Sequence, residues 1–411
     1  MTYTEQPFDL ASSNSLIFVD QYINFVIRLY VVIISTFMKR KIKPIGIDLF
    51  CGVGGLSLGF KQAGFDVAAS VDNDPTNIEM YSKNFPGSTC ILADIAKISG
   101  KEIRSIAKIG NRRVHVVFGG PPCQGFSMIG KRRPDDARNS LIYDFARLVR
   151  EIKPYYFVLE NVPGILTKNM KSILESFIRR IKRAGYLIVE PIQTINAFDF
   201  EIPQRRERVV ILGYSKCLPA PSYSNLVNTE KDLPNPPTVW DAIGDLFMIN
   251  KEDTFYNEDT YKGKFGQRSD YVKMLHSDKR VKEKFLMPKR TVKGLTGCQL
   301  VNHSDETIRR FKMTAPGTVE PISHFYRLNK SGVAPTLRAG SDRLRGLFTA
   351  ARPIHPTEPR CITTREAARL HSFPDWFQFH SKKCHAFRQI GNSVPPKMAK
   401  ALAQVIINMF M

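Results

Sequence analysis

The residues best suited to chemistry lie in the run Gly119-Gly-Pro-Pro-Cys-Gln-Gly-Phe-Ser127. Cys123 carries a thiol whose ionised form is a strong nucleophile. The apolar residues Val114 to Phe118 precede it and read as a short buried strand, while two glycines and two prolines forbid continuing that strand or starting a helix. The cysteine is thereby held in a stiff loop at a strand's carboxyl end, where open α/β sheets bind ligands. The same loop also suits a structural turn with an inert cysteine. A possible acid follows in Glu160-Asn-Val, which closes the next apolar strand; a carboxylate there can carry a raised pKa and deliver a proton. Gln204-Arg-Arg-Glu-Arg208 opens a later strand and brings Arg206 and Arg208 toward the same rim.

A second group suits a nucleotide. Phe50-Cys-Gly-Val-Gly-Gly55 joins the first strand to the first helix, so that Gly52, Gly54 and Gly55 would let a ligand lie against backbone amides. Ser57 stands where the dinucleotide fingerprint needs its third glycine, which disfavours a nicotinamide enzyme. Asp72 closes the second strand and suits ribose hydroxyls; Asp94 closes the third and suits an exocyclic amine. Either aspartate serves equally well as a cap or turn residue.

The elements that must position these groups follow from periodicity. Strands are expected at 45–50, 66–71, 90–92, 114–118, 155–159, 186–193 and 208–214, and helices at 56–63, 75–85, 141–152, 170–184 and 396–410. Their alternation implies an α/β fold with a parallel, doubly wound sheet. The rhythm fails after Lys216, where prolines cluster at 219, 221, 234, 236 and 237. Lys262 to Lys293 holds eleven basic residues against three acids, interleaved with Tyr261, Phe265, Tyr271 and Phe285. Such a mixture suits a surface that follows phosphates and touches bases, or a solvated face.

The 411-residue chain is 43% hydrophobic, ordinary for a folded protein, but its net charge of +22 points to a polyanion, most often nucleic acid. Seven scattered cysteines with no Cys-x-x-Cys pair suggest neither a disulfide framework nor a metal site, and fit a reducing cytoplasm. Residues 25–38 are mostly apolar, but the run is short and interrupted for a membrane span and lacks the features of a signal peptide. Residues 1–38 therefore read as a dispensable extension with Met38 as native initiator, a membrane anchor being the lesser alternative, and no stable membrane partner is expected.

Taken together, these motifs closely resemble the DNA (cytosine-5)-methyltransferase family, specifically its bacterial modification methylases. The resemblance runs from about Lys43 to the C-terminus and is carried by Asp48-Leu-Phe-Cys-Gly-Val-Gly-Gly, the Pro-Pro-Cys loop, Glu160-Asn-Val-Pro-Gly and Gln204-Arg-Arg-Glu-Arg. Ala334-Pro-Thr-Leu, Arg360, Thr363-Thr-Arg-Glu-Ala-Ala-Arg-Leu, Phe373-Pro-Asp and Gln389-Ile-Gly-Asn-Ser-Val-Pro-Pro complete it. It implies the S-adenosylmethionine-dependent methyltransferase fold, a Rossmann-like doubly wound mixed sheet, with a smaller inserted DNA target-recognition domain.

The implied catalytic domain is 39–214 plus 386–411, around a recognition domain and hinge at 215–385. The implied catalytic residues are Cys123, Glu160, Arg206 and Arg208. Phe50, Gly52, Gly54, Gly55, Asp72, Asp94, Pro121 and Asn392 would bind S-adenosyl-L-methionine. Ser127, Lys131, Arg132, Arg133 and Arg138 would sit on a mobile lid against double-stranded DNA. A monomer, and a restriction endonuclease sharing its site, are also implied. The rival readings are a tRNA cytosine-5 methyltransferase and a DNA-binding regulator with a silent methylase fold. The basic insert favours DNA over tRNA, and the intact Cys123, Glu160 and Arg-x-Arg set argues against a silent protein.

Overall fold

The computed structural model describes residues 43–122, 140–226, 236–251, 259–277, 294–340 and 352–410. By contacts Pro44–Met411 forms one unit and Met1–Lys43 another. The N-terminal extension up to residue 42 lies outside the described residues, as do Cys123, the whole lid and residues 278–293 of the basic insert.

The core is one eight-stranded sheet in the order β3-β2-β1-β4-β5-β8-β6, with β7 also paired to β8. The strands are β1 Ile45–Leu49, β2 Asp66–Asp72, β3 Thr89–Leu92, β4 Val116–Gly119, β5 Tyr156–Asn161, β6 Tyr186–Ile188, β7 Gln193–Asn196 and β8 Glu207–Ser215. From β3 to β5 every neighbour is parallel. β8 runs antiparallel to β5, β6 and β7, so the sheet is mixed, as the family resemblance implies and strand–helix alternation alone does not. The single strand expected over 186–193 is two short ones: Pro191, which has no N–H for a ladder, lies in the break.

Helices α1 Gly55–Ala63, α2 Pro75–Asn84, α3 Gly100–Ile106, α4 Leu141–Ile152 and α5 Lys171–Arg183 connect the strands. The later chain adds α6 Val239–Ile243, α7 Asp270–Ser277, α8 Asp305–Met313, α9 Thr364–Leu370, α10 Lys383–Asn392 and α11 Pro396–Ile407. The final helix returns to the first: a Cβ on Gly59 of α1 would stand 2.4 Å from both Ala399 Cβ and Lys400 N of α11. Only glycine permits that approach.

Among the described residues three large apolar clusters fill most of the interior, with two small ones around Tyr261 and Phe311. Of the large ones, one lies under α4 and α5, and another joins α1, β4 and α11. The third packs Cys51, Val53, Tyr81 and Phe85 of the first two βα units against Leu328, Ile362, Phe373 and Phe387. This packing fastens the later segments to the glycine turn. Buried charge adds to the fastening. Arg360 makes a bidentate pair with Glu366 at 2.9 and 2.8 Å, and Arg369 one with Asp375 at 2.8 and 2.9 Å.

Candidate active site

The carboxyl ends of β1, β2, β4 and β5 and the start of antiparallel β8 share one edge of the sheet. At the end of β1 the chain turns sharply. Phe50 takes φ 64°, a left-handed conformation costly for an aromatic residue, and Gly52 and Gly54 follow with φ 53° and 102°. No atom would lie within 4 Å of a Cβ on Gly52, so the turn is open on that side. Gly55 begins α1 and is buried.

Beneath this turn lies a polar chain with no counterpart in the sequence reading. Ser57 donates to Asp48 Oδ2 at 2.6 Å, Tyr81 to Ser57 at 2.7 Å, and Ser70 to Tyr81 at 2.5 Å. Asp48 is fully buried, and among the described residues its Oδ1 has no hydrogen-bond partner. Burial, reinforced by nearby Asp72, pushes its carboxyl up to about 8 against the Ser57 hydrogen bond.

Asp72 braces the turn from β2. Its Oδ2 accepts the Gly52 N–H at 2.8 Å, and its Oδ1 accepts the Asp74 N–H at 2.9 Å and the Asn77 amide at 3.3 Å. Asp94 is half-buried and accepts the Ala96 N–H at 3.0 Å, the turn role open to it from the start.

β4 and β5 carry the other half of the site. Glu160 and Arg208 form a buried pair, Arg208 Nε lying 2.7 Å from Glu160 Oε1. The second carboxylate oxygen packs on Gly120, where a Cβ would stand 2.6 Å from Oε2. Asn161 donates to the Pro121 carbonyl at 3.3 Å, pinning the start of the Pro-Pro-Cys loop to β5. Burial raises the Glu160 pKa, while the charges of Arg208 and Arg206 oppose the rise. The described chain stops at Pro122, and three residues of even fully extended chain carry Cys123 no more than ~11 Å from Gly120.

Arg206 points elsewhere. Its buried guanidinium donates to the carbonyls of Leu337, Gly391 and Ser393 at 3.0, 2.7 and 2.8 Å. Two of those carbonyls flank Asn392, the exposed last residue of α10. Gln204 donates to the Leu370 carbonyl at 3.1 Å and faces His371 Nδ1 at 3.1 Å, and His371 Nε2 lies 2.9 Å from the Ser393 carbonyl. Burial and the Arg206 charge hold His371 well below its ordinary pKa, so the neutral ring donates from Nε2 to Ser393. Of the two arginines expected near the same group, Arg208 pairs with the acid, and the Arg206 guanidinium holds the carbonyls on either side of Asn392. Gln204 and Asn161 stood inside recognised motifs with no role given; His371 carried no signal beyond its place before Phe373.

The donor set of the glycine edge fits a nucleotide-like methyl donor: an open glycine turn, an aromatic residue held in a strained conformation, and a carboxylate at the end of β2. A doubly wound sheet carrying that edge, with a buried acid–arginine pair beside it, is the architecture of a nucleotide-binding α/β enzyme. The chain belongs to the C-5 cytosine-specific DNA methylases, whose family profile matches residues 45–408. It is 45% identical over 366 residues to the Type II methyltransferase M.XorII of Xanthomonas oryzae pv. oryzae, covering 89% of this chain and 85% of that protein. The Type II methyltransferase M1.HphI of Haemophilus parahaemolyticus is 33% identical over 372 residues, covering 88% and 86%. A crystal structure of a prophage-encoded DNA modification methyltransferase from E. coli superposes with TM-score 0.73 at 33% identity, over 90% of this chain and 99% of that one. The Dnmt2 methyltransferase of S. pombe, at 16% identity and TM-score 0.56, shares the fold over 89% of this chain and 98% of its own. The protein is thus a DNA (cytosine-5-)-methyltransferase. Among the described residues, no helix is long and apolar enough to cross a membrane.

Proposed function

We propose that the protein methylates C5 of a flipped-out cytosine in a specific duplex sequence through a covalent adduct between Cys123 and C6. The observation that carries this reading is the buried Glu160–Arg208 pair packed on Gly120, at the root of the Pro-Pro-Cys loop. C5 of cytosine is a poor nucleophile. When the Cys123 thiolate bonds to C6, the ring's double-bond electrons move toward C5 and make it nucleophilic. Glu160, whose buried carboxyl holds its proton more tightly than usual, delivers or shares that proton at N3. Arg208 fixes the carboxylate's orientation through Nε and donates from Nη1 to the Glu207 carbonyl at 2.6 Å, so that Nη2 would serve the base's O2 edge. Arg206 acts at one remove, holding the chain on either side of Asn392.

Phe50, the glycine turn, Asp72, Asp94, Pro121 and Asn392 would hold S-adenosylmethionine, which when bound supplies an electrophilic methyl group. Once C5 is methylated, loss of its proton to a base or water restores the ring double bond and expels the thiolate. A stacked duplex hides C6, so the base must leave the helix. Ser127, Lys131, Arg132, Arg133 and Arg138 would close over it. Residues 215–385 would read the target; a cognate endonuclease at the same site, a monomeric state and a cytoplasmic location complete the proposal.

Bisulfite mapping of DNA from cells expressing the protein, with parallel assays on duplex DNA and tRNA, tests the reading. One methylated sequence context in DNA is expected. Methylation of tRNA alone, or none with the folded protein, would refute it.

A further inference from the structure

The opposite edge of the sheet, at the amino ends of the parallel strands, also carries a row of cations. Four neighbouring strands contribute: Arg112 and Arg113 precede β4, Lys153 precedes β5, Lys216 follows antiparallel β8, and Lys182 and Arg183 precede β6. Backbone bonds across this edge put the segments side by side, Tyr155 N–H to Val114 O, Ser215 N–H to Tyr155 O, and Lys216 N–H to Gly185 O. Neighbouring strands lie ~4.8 Å apart, so the row is a closely spaced line of positive charge. All six side chains are exposed, and among the described residues none makes an ion pair. The nearby acid Glu151 is engaged by Arg147 and by the Gly100 N–H, and Asp66 sits two strands away, on β2.

The row is built rather than loose at its centre. Arg104 donates to the carbonyls of Gly110 and Arg112, both at 2.7 Å, fixing the loop before β4. The Arg113 guanidinium lies 4.6 Å from the centre of the Tyr155 ring. Cations at helix C-termini complement the helix dipole, which accounts for Lys182 and Arg183 at the end of α5. The same holds for Lys153, the C-cap of α4, and Arg112 donates to the Lys108 and Ile109 carbonyls at 3.0 and 3.1 Å; neither account covers Arg113 in its loop or Lys216 after a strand.

We infer that this edge is a second contact surface for the phosphate backbone of duplex DNA, distinct from the catalytic edge. The inference rests on the reading of the protein as acting on duplex DNA. The six residues of β5 separate the two edges by about 20 Å. DNA seated over Glu160 therefore cannot lie along this row without bending round the protein; a distant stretch of the same molecule, or a second duplex, can. Once one stretch is bound, the other is presented at high effective concentration. Long DNA thus gains affinity that a short target duplex does not.

The test compares the full-length protein with its Arg113→Glu/Lys153→Glu/Arg183→Glu variant, on a short duplex bearing the mapped target and a plasmid-length duplex bearing the same target. A second variant with glutamine at the three positions covers the case in which charge reversal impairs folding. Methylation of the short duplex should be unchanged. Affinity for the long duplex should fall at least ~10-fold at low salt, with the slope of log K against log salt reduced by about 2 to 3, as three lost phosphate contacts require. An unchanged long-duplex slope with intact short-duplex activity overturns the second surface. So does an equal loss on both substrates, or binding of wild type to phosphatidylserine vesicles that the variants lose while DNA binding stays the same. If wild type fails to methylate the short duplex, the functional reading fails instead.

Discussion

Arg208 Nε and Glu160 Oε1 lie 2.7 Å apart, on adjacent antiparallel strands, with both side chains almost wholly withdrawn from solvent. Burial favours the neutral acid and the arginine favours the carboxylate; burial prevails, so Glu160 titrates above the ordinary carboxylate range. If the protonated form serves catalysis, activity is sustained below the Glu160 pKa and falls as pH rises through it. Glu160→Gln should slow single-turnover methylation ~100-fold and remove this alkaline limb, leaving DNA binding in place. Single-turnover rates across pH check this. A glutamine variant with the wild-type limb would assign the proton elsewhere.

Gly120 lets the Glu160 carboxylate rest on the backbone, a Cβ there meeting Oε2 at 2.6 Å. Gly120→Ala should push the carboxylate aside and reduce turnover by ~10- to 100-fold, the scale of a small misplacement at a reacting centre. Thermal stability should change little, because the obstructing group is the end of a side chain. Wild-type turnover in the alanine variant would show that the carboxylate's seat is unimportant.

Much of this arrangement was legible because it is local. Glycine, proline and apolar runs mark where β1, β4 and β5 end, and the candidate site lies at those ends. Helix α3 was missed although Ser99 and Glu102 form a capping box, since its short apolar pattern gives little periodicity. Reversal of β8 is a matter of long-range pairing and leaves no mark in its own residues. Arg206 and Arg208 look equivalent in sequence, and only the carbonyls at residues 337, 391 and 393 distinguish them. The Asp48–Ser57–Tyr81–Ser70 chain joins four segments and was invisible for the same reason.

That chain makes stability depend on pH. Asp48 has a folded-state pKa of about 8 against 3.8 ordinarily, so between these values the native state binds one more proton than the unfolded chain. Stability contributed by this group is full below the unfolded value and is lost as pH rises through the folded one, by up to ~6 kcal/mol. Asp48→Asn, which keeps an acceptor for Ser57, should flatten the decline. Urea midpoints from pH 5 to 8 measure it, and parallel declines in the two proteins would contradict the assignment.

Residues 1–37 precede every strand and helix of the described fold. A protein beginning at Met38 should keep its urea midpoint and its methylation rate within about twofold, the surface-change range in free energy. Loss of activity in the folded, shortened protein would give the extension a role.

The covalent step can be assigned to one sulfur. Cys51 lies in the glycine turn, but burial, with Asp72 and Asp48 nearby, pushes its thiol well above the ordinary range, so it holds almost no thiolate at neutral pH. Burial likewise raises Cys298 and Cys361 to about 12. None of these three thiols competes with Cys123, which follows Pro122 in the chain. Duplex DNA with 5-fluorocytosine at the target should permit attack and methylation but block the final elimination, because fluorine cannot leave as a proton does. A complex stable in denaturing gels should form only when S-adenosylmethionine is supplied. Cys123→Ser should abolish it while leaving DNA binding measurable, since an alcohol is far less ionised than a thiol. Glu160→Gln should slow its formation without moving it. Peptide mapping of the trapped species decides the matter: an adduct on Cys51, or on any residue other than Cys123, would falsify the mechanism.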